Sequence, residues 1–313
     1  MNVRGIFFMN YLSDFNRELD FVIDECRKYV KCGKVADYIP ELAKADLNKL
    51  GVYIISKDGA YFSGDYEARF TIQSIVKPLI LLLALEDAGV ERVRALVGVE
   101  ATGKPFDTFN YTDLALKNEH INPMINAGAI ALCTLIKGNT FQEKTNRLLN
   151  FTRKLAKNSS IEIDTAVYLS EKATGNKNRA LAYMLNAYHM INEDVENLLD
   201  CYFGACSISV NCMDLAQIAF SFSHCESDGT IREEDARYVN AVLSTCGMYD
   251  GSGEFALDVG VPAKSGVGGG IMAIVPSRMG IGVYSPALDN KGNSIAGKKV
   301  LELLSKKINL SVF

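Results

Sequence analysis

The sequence predicts an α+β fold in which a helical lobe is inserted into a lobe built on an antiparallel sheet. Three observations carry this. Strand patterns lie toward both ends of the chain, at 51–56 and 60–63 and again at 270–276 and 278–284. The stretch from about 90 to 250 is mostly helical spacing of apolar residues. A last helical pattern, 294–308, closes the chain. The expected division is a sheet lobe of about 1–95 plus 255–313 and a helical lobe of about 96–254. A cleft between two such lobes is a usual place for a site.

Each element has its own reason. Over 11–31 the apolar residues Tyr11, Leu12, Phe15, Leu19, Val22, Ile23 and Cys26 recur at helical intervals. Lys57-Asp58-Gly59 supplies the turn between the first two strands. The run PLILLLAL at 78–85 lies in a helix expected over 74–88 and stopped by Gly89. Loops are expected at 98–110, 137–140 and 223–229. A Pro-Ser turn separates the last two strands.

Composition excludes several function classes. The chain has 313 residues, a prior of one to two domains at about 150 residues each. Apolar residues make up 48% and charged residues 22%, which excludes a disordered or fibrous chain. The charge sum is 33 − 37 = −4, so no basic excess points to nucleic acid. The longest strongly apolar run, 78–85, is far short of the roughly 20 residues that span a bilayer. The apolar stretch at 5–9 is shorter than a signal-peptide core, so no export, no membrane anchor and a cytoplasmic location are expected. The eight cysteines, at 26, 32, 133, 201, 206, 212, 225 and 246, include no C-x-x-C and read as free thiols. His120, His189 and His224 are far apart and form no H-E-x-x-H, so neither a metal site nor a histidine base is expected.

Two short motifs carry chemistry. Ser74-Ile75-Val76-Lys77 is an S-x-x-K, and Lys264-Ser265-Gly266 is a K-S-G. Together they resemble the S-x-x-K and K-T-G of serine β-lactamases and penicillin-binding proteins, with serine in place of threonine. Positions three apart share a helix face, so the Lys77 amine can reach the Ser74 hydroxyl. Pro78 belongs in a first helical turn, which puts Ser74 at the positive end of the helix dipole. A buried lysine can lose its proton and act as base. A lone S-x-x-K is weak evidence, since a chain of this length and ordinary composition holds about one by chance. A serine at a helix start with an exposed lysine one turn on would look the same.

Longer strings are more specific. Segments 33–43 (GKVADYIPELA), 73–78 (QSIVKP), 122–130 (NPMINAGAI), 246–253 (CGMYDGSG), 263–271 (AKSGVGGGI) and 275–299 resemble the serine-dependent glutaminases, which hydrolyse L-glutamine to L-glutamate and ammonia. The resemblance runs from about 30 to 300. It implies the serine β-lactamase/DD-peptidase-like fold, no cofactor, and a homodimer or homotetramer. It also implies roles. Ser74 matches the nucleophile and Lys77 the general base. Asn126, Glu171, Asn178, Tyr202 and Tyr249 match substrate ligands, Tyr249 being the one beside the nucleophile that relays protons. The backbone N–H of Val267 matches the second oxyanion donor beside that of Ser74, and Tyr38 a residue lining the entrance. Lys264, Ser265 and Gly266 are supporting residues. The family pattern around Glu171 is closer to E-x-E-S-G-x-R-N, from which this chain departs at Ala173, Thr174 and Lys177 while keeping Glu171 and Asn178.

Each position has a plainer reading. Asn126 could cap a helix over 127–136. Glu171 and Asn178 could be solvated, and Tyr202 could be core. A β-lactamase or penicillin-binding enzyme is the nearest alternative activity, although no S-D-N lies between the two motifs. A non-catalytic amino-acid sensor on the same fold is another.

Overall fold

Residues 12–103, 121–224 and 230–313 are described by the computed structural model. In chain order they form α1 (Leu12–Cys26), β1 (Gly51–Ser56), β2 (Gly59–Gly64), β3 (Phe70–Thr71), α2 (Lys77–Ala88), α3 (Val90–Leu96), α4 (Asn126–Cys133) and α5 (Phe141–Leu155). Next come β4 (Glu162–Ile163), α6 (Thr165–Thr174), α7 (Asn176–Ala187), α8 (Val195–Cys206), β5 (Ile208–Val210), α9 (Cys212–His224) and α10 (Glu233–Cys246). The chain ends with α11 (Ser252–Asp258), β6 (Ala263–Ser265), β7 (Gly270–Val275), β8 (Met279–Tyr284) and α12 (Ile295–Ile308). The α+β class is observed, as are both hairpins and the closing helix. Parts of the loops expected at 98–110 and 223–229, with Tyr11, His120 and Cys225, lie outside the described residues.

The main sheet runs β2-β1-β8-β7-β6, every pair antiparallel. Strands from the two ends of the sequence meet at β1 and β8, where Tyr53 faces Gly282 and Ile54 faces Ile281. Side chains alternate across a strand, so β7 splits its residues between two cores. Ile271, Ala273 and Val275 join the core that includes Leu19, Val22 and Ile23 of α1 and Val300, Leu301 and Leu304 of α12. Met272 and Ile274 face the larger core, with Leu215, Ile218 and Phe222 of α9. The sheet is therefore buried on both faces. That explains why its last strands read as unbroken apolar runs rather than as a polar alternation.

Helix α9 lies close on the sheet because β8 presents glycine to it. A side chain at Gly282 would meet the Cys212 carbonyl, and one at Gly280 the Ala216 carbonyl. Helix α2 is the centre of the larger core, with every residue from Lys77 to Leu85 buried. Burying a leucine contributes about 1.5–3 kcal/mol, so this run alone accounts for a large share of the helical packing.

A second, three-stranded sheet, β3-β5-β4, was not legible in the sequence, because strands of two or three residues have no period to detect. It pairs Phe70 with Val210 and Thr71 with Ser209, and Glu162 with Ser209 on the other side. Small as it is, it ties together the chain just before Ser74, the chain just after α8 and the chain just before α6.

Gly282→Ala is expected to destabilise the fold by about 1–3 kcal/mol through overpacking against α9, read as a lower midpoint in urea with an unchanged m-value. A midpoint equal to that of the parent protein would show that α9 does not rest on this strand as described.

Candidate active site

The turn that carries Ser74 is a 3-10 helix, Gln73–Val76, leading directly into α2 with Lys77 as its first residue and Pro78 as its second. Proline fits there because its missing N–H would have no helical partner. Ser74 is buried, and Lys77 has no exposed surface. Lys77 Nζ is 3.0 Å from Ser74 Oγ. It also donates to Asn126 Oδ1 at 2.7 Å. The S-x-x-K geometry expected from helical spacing is thus present, and the lysine is not on the surface.

Asn126 opens α4, whose N-cap is Ile125, and its side chain caps nothing. Instead it is the junction of the site. Its oxygen also accepts from the Tyr202 hydroxyl at 3.3 Å, and its Nδ2 donates to Asn178 Oδ1 at 2.8 Å. Tyr202 is on α8 and Asn178 on α7, so one amide side chain holds three helices to α2. Tyr202 is core by burial, yet its hydroxyl points into this network.

Glu171, on α6, is buried, and its Oε2 has no hydrogen-bond partner. Burial pushes its carboxyl up to about 8, opposed by a hydrogen bond with Gln73 and the Lys77 charge. A buried, half-partnered carboxylate is costly unless something charged arrives to meet it.

On the opposite wall, β6 supplies Lys264 and Ser265. A side chain at Gly266 would meet the Ile72 carbonyl at 2.7 Å. Glycine there lets the loop that carries Val267 press against the chain just before Ser74. Tyr249 follows α10 in a left-handed conformation with φ 54° and donates its hydroxyl to Ser265 O at 3.1 Å. Ser74 draws the Tyr249 phenol down, but burial outweighs this and holds it well above its ordinary range. Lys264 is fully buried, donates to Ser265 O at 2.7 Å and lies 4.2 Å from the Tyr249 ring centroid. Burial and the neighbouring Lys77 charge push its ammonium well below the usual lysine range.

One cavity of about 290 Å³ is lined by Tyr38, Gln73, Ser74, Asn126, Glu171, Asn178, Tyr202 and Val267. Tyr38 stands at its mouth, 55% exposed. Tyr249 lines two neighbouring hollows, one of which shares Tyr38 and Val267 with this cavity. The arrangement can hold a small molecule with a cationic end at Glu171 and an electrophilic carbon at Ser74. Cys206 and Lys177 also line the cavity; neither Cys206 nor Gln73 was assigned a site role from the sequence, and Lys177 was noted there only as a departure from the family pattern. Gln73 is inside the QSIVKP string, but nothing in a glutamine's type announces φ 49°.

Serine and lysine at the start of a buried helix, facing a K-S-G strand at the edge of an antiparallel sheet, define the serine β-lactamase-like class. Within that class the glutaminase family model matches residues 33–313. A glutaminase of Clostridium tetani is 52% identical over 305 residues, covering 95% of this chain and 99% of the relative. Two solved structures from Bacillus subtilis also match. A probable glutaminase complexed with 6-diazo-5-oxo-L-norleucine has TM-score 0.86 and 34% identity, covering 95% of this chain and 97% of that one. A covalent complex of the glutaminase YbgJ with 5-oxo-L-norleucine, formed by reaction with the same compound, has TM-score 0.86 and 33% identity, covering 95% and 99%. The chain belongs to the glutaminase family, and its fold is the β-lactamase-like fold of these neighbours.

Glu171 links the site to stability. Its carboxyl holds a proton more tightly folded, to about 8, than unfolded, where the ordinary value is 4.5. Between those two pH values the folded state binds more protons, so this residue makes stability fall as pH rises. Glu171→Gln is expected to remove that slope. The melting temperature of the variant minus that of the parent should grow from pH 5 to pH 8, and a constant difference would contradict the assignment.

Proposed function

We propose that this protein hydrolyses L-glutamine to L-glutamate and ammonia through a glutamyl ester on Ser74. The observation that carries the reading is the buried Ser74–Lys77–Asn126 chain opening into a cavity with an unpaired carboxylate oxygen at its other end. Membership of the glutaminase family supports the substrate.

In the first step Ser74 Oγ attacks the side-chain amide carbon, and its proton passes to neutral Lys77. The N–H groups of Ser74 and Val267 face the oxygen that becomes negative. The amide nitrogen takes that proton from Lys77 and leaves as ammonia, which returns Lys77 to its neutral form. Tyr249, whose phenol burial keeps protonated, is suited to relay that proton to the leaving nitrogen rather than to act as a phenolate. Lys77 then activates a water that cleaves the ester.

Glu171 meets the substrate ammonium, a charge-assisted contact that draws its carboxyl back toward the ionised form. The Asn178 amide group and the Tyr202 hydroxyl lie on the side left for the carboxylate. Asn126 serves mainly to aim Lys77, since its oxygen is already shared by Lys77 and Tyr202. Tyr38 lines the entrance, and Lys264, Ser265 and Gly266 shape the wall behind Tyr249.

The reading extends to a homodimer or homotetramer working in the cytoplasm, on two lobes of about 1–95 plus 255–313 and about 96–254. The seven described cysteines are free, which suits a reducing compartment. Among the described residues no helix is long and apolar enough to cross a membrane.

Ammonia release from L-glutamine by the purified protein is the test, with L-asparagine alongside. Ser74→Ala is expected to lower kcat/KM by roughly 10³-fold or more, as loss of a nucleophile does. Lys77→Met should cost roughly 10²–10⁴-fold. Asparagine should be a poor substrate, because one methylene less draws the amide carbon away from Ser74. Near-normal turnover by Ser74→Ala would sink the mechanism.

A further inference from the structure

A proton relay needs its phenol at a fixed angle, and the backbone of Tyr249 does not favour the angle it takes. Its φ of 54° lies in the left-handed region that residues other than glycine seldom adopt. Two side chains outside the proposed chemistry grip this turn. Ser252 Oγ accepts from the Met248 N–H at 3.1 Å and donates to the Tyr249 carbonyl at 2.9 Å. Asn293 Nδ2 donates to the Met248 carbonyl at 3.2 Å. Asn293 thus holds the planar peptide that enters Tyr249, and Ser252 the one that leaves it. Fixing both planes fixes the two soft dihedrals between them.

Asn293 has no exposed surface and is delivered by a closed loop between β8 and α12. Asp289 Oδ1 accepts the N–H groups of Lys291 and Asn293, each at 2.9 Å, and the Asp289 N–H donates to the Asn293 carbonyl at 2.8 Å. The next residue, Ser294, caps α12 and bonds the Ser285 carbonyl at 2.6 Å. The Asn293 amide also lies over Gly251, where a Cβ would come within 3.2 Å of Nδ2. Its Oδ1 is buried without a hydrogen-bond partner. An amide that gains one hydrogen bond and leaves a buried acceptor unmet contributes little net stability. What it aims explains its place better than what it stabilises.

We propose that Asn293 is a positioning residue for the reaction: it orients the peptide entering Tyr249 and so aims the phenol along the proton path to the leaving nitrogen. The proposal rests on the reading of Tyr249 as the relay and deepens it. At its other end the phenol donates to the Ser265 carbonyl at 3.1 Å. Ser265 is on β6 and Asn293 follows β8, so the main sheet supplies both restraints on one side chain. Asn293 does not line the substrate cavity, so its loss should leave glutamine binding in place.

The test is steady-state turnover of glutamine in a double-mutant cycle. Asn293→Leu keeps the size of the side chain and loses the donor. Its kcat should fall about tenfold or more with KM within about twofold of the parent, since a misplacement of ~1 Å can cost about 10²-fold. Gly251→Ala keeps the amide but crowds it, and should lower kcat in the same way by less. In a Tyr249→Phe background no phenol proton is left to aim, and Asn293→Leu should then change kcat by less than about twofold. A loss that persists in that background means that Asn293 only supports the fold, and the inference is wrong. A parent-like kcat in Asn293→Leu overturns it too. If Asn293→Leu does not fold, the same cycle with Gly251→Ala decides. A parent-like kcat in Tyr249→Phe alone would remove the relay reading, and failure of the parent protein to release ammonia the glutamine reading, and either takes this inference with it.

Discussion

A lysine without exposed surface must have its polar contacts supplied by the protein, and that requirement organises the site. Lys77 Nζ reaches Ser74 Oγ on the 3-10 turn that leads into its helix and Asn126 Oδ1 on another helix. Leaving a buried ammonium or amine unpaired would cost several kcal/mol. Asn126 must therefore stay where it is, and its two remaining bonds fix Tyr202 and Asn178. Four helices are registered against one another through a single amide. The nucleophile, its base and the residues beside the substrate are then one hydrogen-bonded unit, and loss of any member disturbs the rest.

Strain and desolvation are concentrated in the same place. Gln73 and Tyr249 both take left-handed backbones, at a cost of order 1–3 kcal/mol each. One precedes the nucleophile and the other touches it. Glu171, Lys264 and Tyr249 are all shifted by burial toward their neutral forms. A site whose buried groups are pushed toward neutrality, with one carboxyl oxygen left unpartnered, is poised to receive a zwitterion, whose charges restore what burial removed.

The supports of this arrangement are short. The three-stranded sheet joins the segments leading into Ser74, into Glu171 and out of Tyr202 with only a few ladder bonds. On the far wall, glycine at 266 admits the Val267 loop to contact with Ile72. Close backbone approach, more than side-chain packing, brings the two walls of the cavity together.

Local rules were enough for much of this. Periodicity located the hairpins, the central apolar helix and the closing helix, because each is long enough to repeat its pattern. Pro78 and the three-residue spacing of Ser74 and Lys77 placed that pair on one face of a helix start, which is a property of helix geometry alone. The strings around Ser74, Asn126, Tyr249 and Lys264 carried the family. Tertiary structure decided the remainder. The pairing of β1 with β8 joins strands more than two hundred residues apart, and no local signal encodes that distance. The strands of the small sheet are too short to have a period. Whether Asn126 caps its helix or turns to Lys77 depends on which neighbour is buried beside it. The left-handed turn at Gln73 and the raised carboxyl of Glu171 arise from close packing and desolvation, which exist only once the chain has folded.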